Sequence, residues 1–193
     1  MFSLSQFHSA YHMLLDTSSA KKHQQREILV HWLPPNSDFL KLNTDGNPGL
    51  SGLGGVMHDS CGAWITGYYG FCGYTTSLHA ELFGIYNGLQ IAWQQGFKKI
   101  ICKSDSQLAI DLILGDVNSF HLYHPLILKI QNFINLQWDL SFNHLYREGN
   151  QIADWLAKEG SSSLQDLTIL LQCPTSLFSD YFADFMVHSY VRS

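Results

Sequence analysis

Apolar and polar residues alternate from Phe39 to Thr44. That pattern predicts a half-exposed strand, because successive side chains of a strand point to opposite faces. Further strands are expected at about 53–58 and 63–72. The turn residues Asp59-Ser60-Cys61-Gly62 between them signal a hairpin. Leu78, Leu82, Ile85, Leu89 and Trp93 then recur at helical spacing, and Gly96 ends that helix. Ile100-Ile101-Cys102-Lys103 reads as a short strand, and Asp105 as the cap of a helix running to Gly115. A helix over 122–135 and a strand over 138–146 follow, then a helix capped by Asn150 that ends before Gly160. The order βββ-α-β-α-α-β-α describes an α/β domain. Three meandering strands and two crossover strands form one mixed sheet covered by helices.

Punctuation sets the expected domain limits. Pro34-Pro35-Asn36-Ser37 reads as a linker and Ser161-Ser162-Ser163 as the other boundary. The expected organisation is an N-terminal extension over 1–37, one domain over 38–160 and a tail over 161–193. Residues 1–30 are polar and weakly helical, and Lys21-Lys22-His23-Gln24-Gln25-Arg26 reads as a solvated arm. With 193 residues and 46% apolar content, one domain can bury a sizeable core. The net charge of −5 argues against a broad basic face for gripping nucleic acid. It leaves room for an enzyme whose metal ions supply local positive charge.

Cys61, Cys72, Cys102 and Cys173 form no close pair and are expected to be reduced thiols. The N-terminus lacks a secretory pattern, and no apolar run approaches the roughly 20 residues needed to span a bilayer. The expectation is a soluble intracellular monomer, nuclear or cytoplasmic, with no membrane partner. Gly46, Gly49, Gly52, Gly54 and Gly55 fit neither a dinucleotide loop nor a P-loop, and no helix follows them. They read as hairpin glycines.

Four acids sit at the ends of these elements. Asp45 closes the first strand, Glu81 lies in the first turn of the long helix, Asp105 ends the fourth strand, and Asp154 lies early in the last helix. Glu81 shares a stripe with Ile85, Gly88, Leu89 and Ala92, the side facing the sheet. A carboxylate there is costly unless it is paired or binds a cation. Each acid alone can be a turn former, a cap or a helix-dipole partner. Together they suit a hard cation such as Mg²⁺. Two such ions roughly 3.5–4 Å apart would serve phosphodiester hydrolysis.

The motifs around these acids resemble the type 1 ribonuclease H domain in its plant retroelement-type form. The matching stretches are Leu42-Asn43-Thr44-Asp45-Gly46, His79-Ala80-Glu81-Leu82, Lys103-Ser104-Asp105-Ser106-Gln107, and Tyr146 to Ala157 with Arg147-Glu148-Gly149-Asn150 and Ala153-Asp154. Their order and intervals fit over roughly residues 39–160. The resemblance implies a ribonuclease H-like fold whose five-stranded mixed sheet has three antiparallel strands, then two parallel ones. It implies a two-metal endonuclease that cuts the RNA strand of an RNA–DNA hybrid. Asp45, Glu81, Asp105 and Asp154 would be catalytic residues and metal ligands, holding two Mg²⁺ ions, with Mn²⁺ as the alternative. Gly46, Asn47, Ser106 and Gln107 would contact substrate, and reading the 2′-hydroxyl would tell RNA from DNA. A retrotransposon origin within a longer polyprotein is also implied.

Two departures from that pattern stand out. Asp45-Gly46 runs straight into Asn47-Pro48-Gly49, where the family usually has several more residues. The histidine loop before the last acid is shortened to Arg147-Glu148-Gly149. His144 alternates with Phe142 and Tyr146 and reads as a strand residue rather than a proton shuttle. Residues 116–135 hold one basic side chain, Lys129, so weak hybrid affinity is expected. His121 and His124 lack a third ligand nearby in the sequence. The alternative reading is a catalytically weak or inactive retroelement-derived nucleic-acid-binding module.

Overall fold

The computed structural model describes residues 28–31, 35–36, 38–185 and 189–192. The arm expected over 1–30, including the Lys21–Arg26 run, lies outside them except at 28–30. Those last residues are extended rather than helical. Ile28–His31 (β1) pairs with Ser189–Arg192 (β8) in a two-stranded sheet. The remaining elements belong to one compact unit, Leu29–Tyr190.

Its main sheet has six strands: Leu40–Gly46 (β2), Gly49–His58 (β3), Trp64–Thr75 (β4), Lys99–Ser104 (β5), Asp139–His144 (β6) and Thr168–Leu170 (β7). They lie in the order β6-β5-β2-β3-β4-β7. β2, β3 and β4 meander antiparallel, while β5 runs parallel to β2 and β6 parallel to β5. The fold is ribonuclease H-like, α/β, as expected, but the count of five strands is corrected to six. Residues expected as a tail supply β7, which pairs antiparallel with β4 from Gly67↔Leu170 to Tyr69↔Thr168. Three residues are too few to leave a readable alternation.

The helices are Ser77–Gln94 (α1), Gln107–Leu114 (α2), His124–Ile134 (α3), Gln151–Ser163 (α4) and Phe178–Phe185 (α5). Strand parity divides the core. Leu53 and Met57 of β3 join Leu42, Tyr68, Leu82, Ile85, Leu89, Ile100, Ile127 and Ile130 in the larger cluster. Val56, at the opposite parity, packs with Ile152 and Leu156 of α4 and with Leu177. None of the helices among the described residues is long and apolar enough to cross a membrane.

The glycine-rich stretch has a different use from the expected one. Gly54 lies within β3 rather than in a turn, and a Cβ there would stand 2.3 Å from the Ala157 nitrogen of α4. The missing side chains let a helix lie directly on the strand. The same close packing carries α4 past its expected end to Ser163, because Gly160 sits against Gly70 (a Cβ would meet the Gly70 oxygen at 2.5 Å). A glycine that reads as a stop is here an interior contact.

Three helix starts also differ from expectation. Thr76 caps α1 by accepting from the His79 nitrogen at 3.2 Å, so Glu81 lies beyond the first turn. Ser106, not Asp105, caps α2, its hydroxyl accepting from the Ala109 nitrogen at 3.3 Å. Asn150 precedes α4 without a side-chain cap bond, because that side chain is used elsewhere. At the other end, Tyr181 of α5 fastens the segment after β7 to the β3–β4 hairpin. Its hydroxyl accepts from the Trp64 nitrogen at 3.0 Å and donates to the Gly62 oxygen at 3.1 Å, and its ring stacks on His58.

Candidate metal centre and nucleic-acid interface

The parallel register of β2 and β5 sets Thr44 opposite Ser104. Asp45 and Asp105 follow at the next positions, side by side at the carboxyl ends of the two strands. α1 brings Glu81 to the same place because Gly46 has no side chain. A Cβ on Gly46 would lie 2.3 Å from the backbone carbon of Ala80. Asp45, Glu81 and Asp105 each offer an oxygen within 4.8 Å of the others. Asp45 is 6% exposed and Glu81 4%.

Polar neighbours orient these carboxyls. The Ser104 hydroxyl donates to Glu81 Oε2 at 3.0 Å and accepts from the Ser106 nitrogen at 3.1 Å. The Asn150 amide donates to the Thr44 oxygen at 2.8 Å and to Asp105 Oδ1 at 3.4 Å. The Asn43 amide donates to the Gly149 oxygen at 3.5 Å, a second tie between β2 and the turn before α4.

Burial, then the charge of Asp105, raises Asp45 above the usual carboxylate range. Burial, then the charges of Asp45 and Asp105, raises Glu81. Among the described residues no lysine or arginine forms an ion pair with Asp45, Glu81 or Asp105. Buried carboxyls that repel one another and lack a protein cation, with their oxygens converging, fit a bound hard cation.

Asp154 stands outside this group of three. It lies in the first turn of α4, and its charge contributes to the rise at Asp45. Arg147 Nη2 donates to its Oδ1 at 3.1 Å, and Lys158 Nζ donates to its Oδ2. Arg147, Glu148, Gln151 and Asp154 line a cleft of about 250 Å³.

The other expected site residues are variously occupied. Asn47 Oδ1 accepts from the Gly52 nitrogen at 2.7 Å, and its amide donates to the Ser161 hydroxyl of α4 at 3.2 Å, so the short turn is closed and tied down. Ser106 is the cap described above. The exposed Gln107 amide donates to Asp111 Oδ1 at 2.7 Å. His144 ends β6, exposed, with Nε2 at 3.2 Å from the Asp105 carbonyl oxygen. Sequence reasoning missed Ser104, Asn150 and Arg147. Ser104 carried a signal, since the alternation of β5 turns Ile100, Cys102 and Ser104 inward together.

The sequence profile described as reverse transcriptase-like matches residues 43–160, more than half of the chain. The chain belongs to the reverse transcriptase-like family. This reverse transcriptase-like domain also resembles an Arabidopsis thaliana protein named "Putative ribonuclease H protein", 33% identical over 135 residues. That match covers 68% of the chain but 22% of the relative's own length. Among solved structures, RNase H1 from the archaeon Halobacterium salinarum superposes with a TM-score of 0.60 at 25% identity, over 65% of this chain and 98% of that one. LC11-RNase H1, isolated from compost and solved in complex with an RNA/DNA hybrid, superposes at 0.58 and 25% identity, over 64% and 97%.

Proposed function

We propose that the reverse transcriptase-like domain is a metal-dependent endonuclease that cuts the RNA strand of an RNA–DNA hybrid. The observation that carries this reading is the convergence of Asp45, Glu81 and Asp105 from β2, α1 and the end of β5, without a paired cation among the described residues. These three acids, with Asp154 as the fourth, would hold two divalent ions, Mg²⁺ in the first instance. Bound there, the ions supply Lewis acidity and charge neutralisation for phosphodiester hydrolysis. The chain's own groups fix the geometry: Ser104 holds the Glu81 carboxyl, and Asn150 links Asp105 to the backbone of β2. Gly46, Asn47, Ser106 and Gln107 lie on the segments that flank the acids and would meet the RNA strand. The hybrid bound to LC11-RNase H1 supports the substrate class. Membership in a longer retroelement-derived protein accords with the small share of the Arabidopsis relative that the chain covers.

The test is cleavage of a labelled hybrid by purified protein with Mg²⁺, beside Asp45→Asn. Cleavage confined to the RNA strand and lost in the variant is expected. No cleavage, or equal cleavage by both, would overturn the proposal. A second reading, a binding module without turnover, draws on the ion-paired state of Asp154 and the short turn closed by Asn47. Hybrid retention without cleavage, and without any thermal shift on adding Mg²⁺, would select it.

A further inference from the structure

We infer that Arg147 and Lys158 form a clasp that withholds Asp154 from cations, so that an ion reaches this acid only by displacing Arg147. The inference rests on reading the four acids as a cation site, and it assigns a positioning role to a basic residue outside that set. Both carboxylate oxygens of Asp154 are occupied, Oδ1 by the Arg147 guanidinium and Oδ2 by the Lys158 ammonium. The three converging acids have no such partner among the described residues.

Exposure shows how the clasp opens. The Asp154 side chain is 19% exposed, whereas those of Arg147 and Lys158 are 74% and 61% exposed. A displaced guanidinium therefore returns to water with little penalty, and ion pairs of this kind are weak and screened by salt. The two partners differ in origin. Lys158 stands one turn along α4 from Asp154 and is held by helical spacing. Arg147 comes from the turn Arg147–Gly149 and borders the cleft beside the acid. Its charge also interacts with Asp45 and Asp105, so it opposes a second cation anywhere in the group. The first ion goes to Asp45, Glu81 and Asp105, and the second competes with Arg147. Linkage makes this competition reciprocal: whatever Arg147 subtracts from cation affinity, the cation subtracts from the Arg147–Asp154 pair.

The experiment is Mn²⁺ uptake by the full chain, followed by the electron paramagnetic resonance of the free ion. Arg147→Gln, Arg147→Lys and Lys158→Gln are compared with the wild type. Wild type takes up one ion tightly and a second weakly. Arg147→Gln tightens the weak step about fivefold, the low end for coupled sites, and the tight step by clearly less. Arg147→Lys keeps the charge and most of the wild-type weakness, and Lys158→Gln gives a smaller gain than Arg147→Gln. Adding Asp154→Asn to Arg147→Gln cancels the gain. Wild-type affinities in Arg147→Gln, whether for two ions or for none, would overturn the clasp, as would a gain that survives Asp154→Asn. Failure of the underlying site reading looks different: Asp45→Asn would then bind Mn²⁺ as the wild type does.

Discussion

Asp45 and Glu81 are buried, repelled by neighbouring carboxylates, and among the described residues form no ion pair with a basic side chain; Asp154, 19% exposed, grips two. The residue chemistry is nearly the same in both places. In the buried group, hydrogen bonds from Ser104 and Asn150 answer desolvation and repulsion only in part, and a cation or a proton relieves the rest. At Asp154 the protein answers its own charge. The proposed cation site lies where the chain leaves an electrostatic cost open.

The largest expected effect comes from removing one buried charge. Asp45→Asn should lower hybrid cleavage by more than about 100-fold, the upper end for loss of an outer-shell partner. The same variant in chelator should be more stable than wild type by about 1–2 kcal/mol, since each unit of an acid's upward shift corresponds to about 1.4 kcal/mol. Calorimetry would read that as a rise of a few degrees; a lower melting temperature would break the comparison. Asn150→Ala comes next. It strips the buried Thr44 carbonyl and Asp105 of a donor, so a loss of about 1–3 kcal/mol is expected by denaturant unfolding. Arg147→Gln, which removes an exposed side chain, should stay within about 0.5 kcal/mol in the same measurement.

The smallest effect is a pH dependence with a defined window. Asp45 and Glu81 have folded-state values raised above their unfolded ones. Their charged forms therefore weaken the fold at high pH, and that weakening is relieved as pH falls through the raised values. His58 has the opposite sign: burial, then the charge of Lys41, lowers it to about 3 from 6.5. Its contribution is present above 6.5 and is lost as pH falls below that. Between about pH 8 and 7, above the range where the buried His58 and the half-buried His79 contribute, the change comes mainly from the acids. In chelator the melting temperature should rise across that interval, and saturating Mg²⁺ should flatten the rise. A fall across it would show that the pair is not strained.

The part of this arrangement legible in the sequence is local. Alternation in β2 and the Leu82–Ile85–Leu89 stripe of α1 placed the strand and the helix that carry Asp45 and Glu81, but β2 is buried on both faces rather than half exposed, because α1 and α4 both pack on it. Strand and helix order then supplied the mixed sheet. Partner choice was not local. Asn150 looks like a cap because it precedes a helix, yet its amide bonds Thr44, 106 positions away in the chain. Asp154 looks equivalent to the other acids until Arg147 and Lys158 are seen on its two oxygens. Gly54 and Gly160 read as breakers because their helix and strand contacts come from opposite ends of the domain.

Strand β7 bears on how this domain can be handled as a separate piece. A fragment cut at residue 160, where the family match ends, would lose β7 and the Tyr181 anchor together. It would bare the hydrogen-bonding rim of β4 along Gly67–Tyr69 and uncover Trp64 and His58 beneath the lost ring. An unpaired rim of this kind recruits other chains, so the shortened piece should self-associate more than the longer chain. Light scattering of the two, at equal concentration, would show the difference. Thr168–Leu170 thus serves as a sheet terminator, guarding the domain against its own kind.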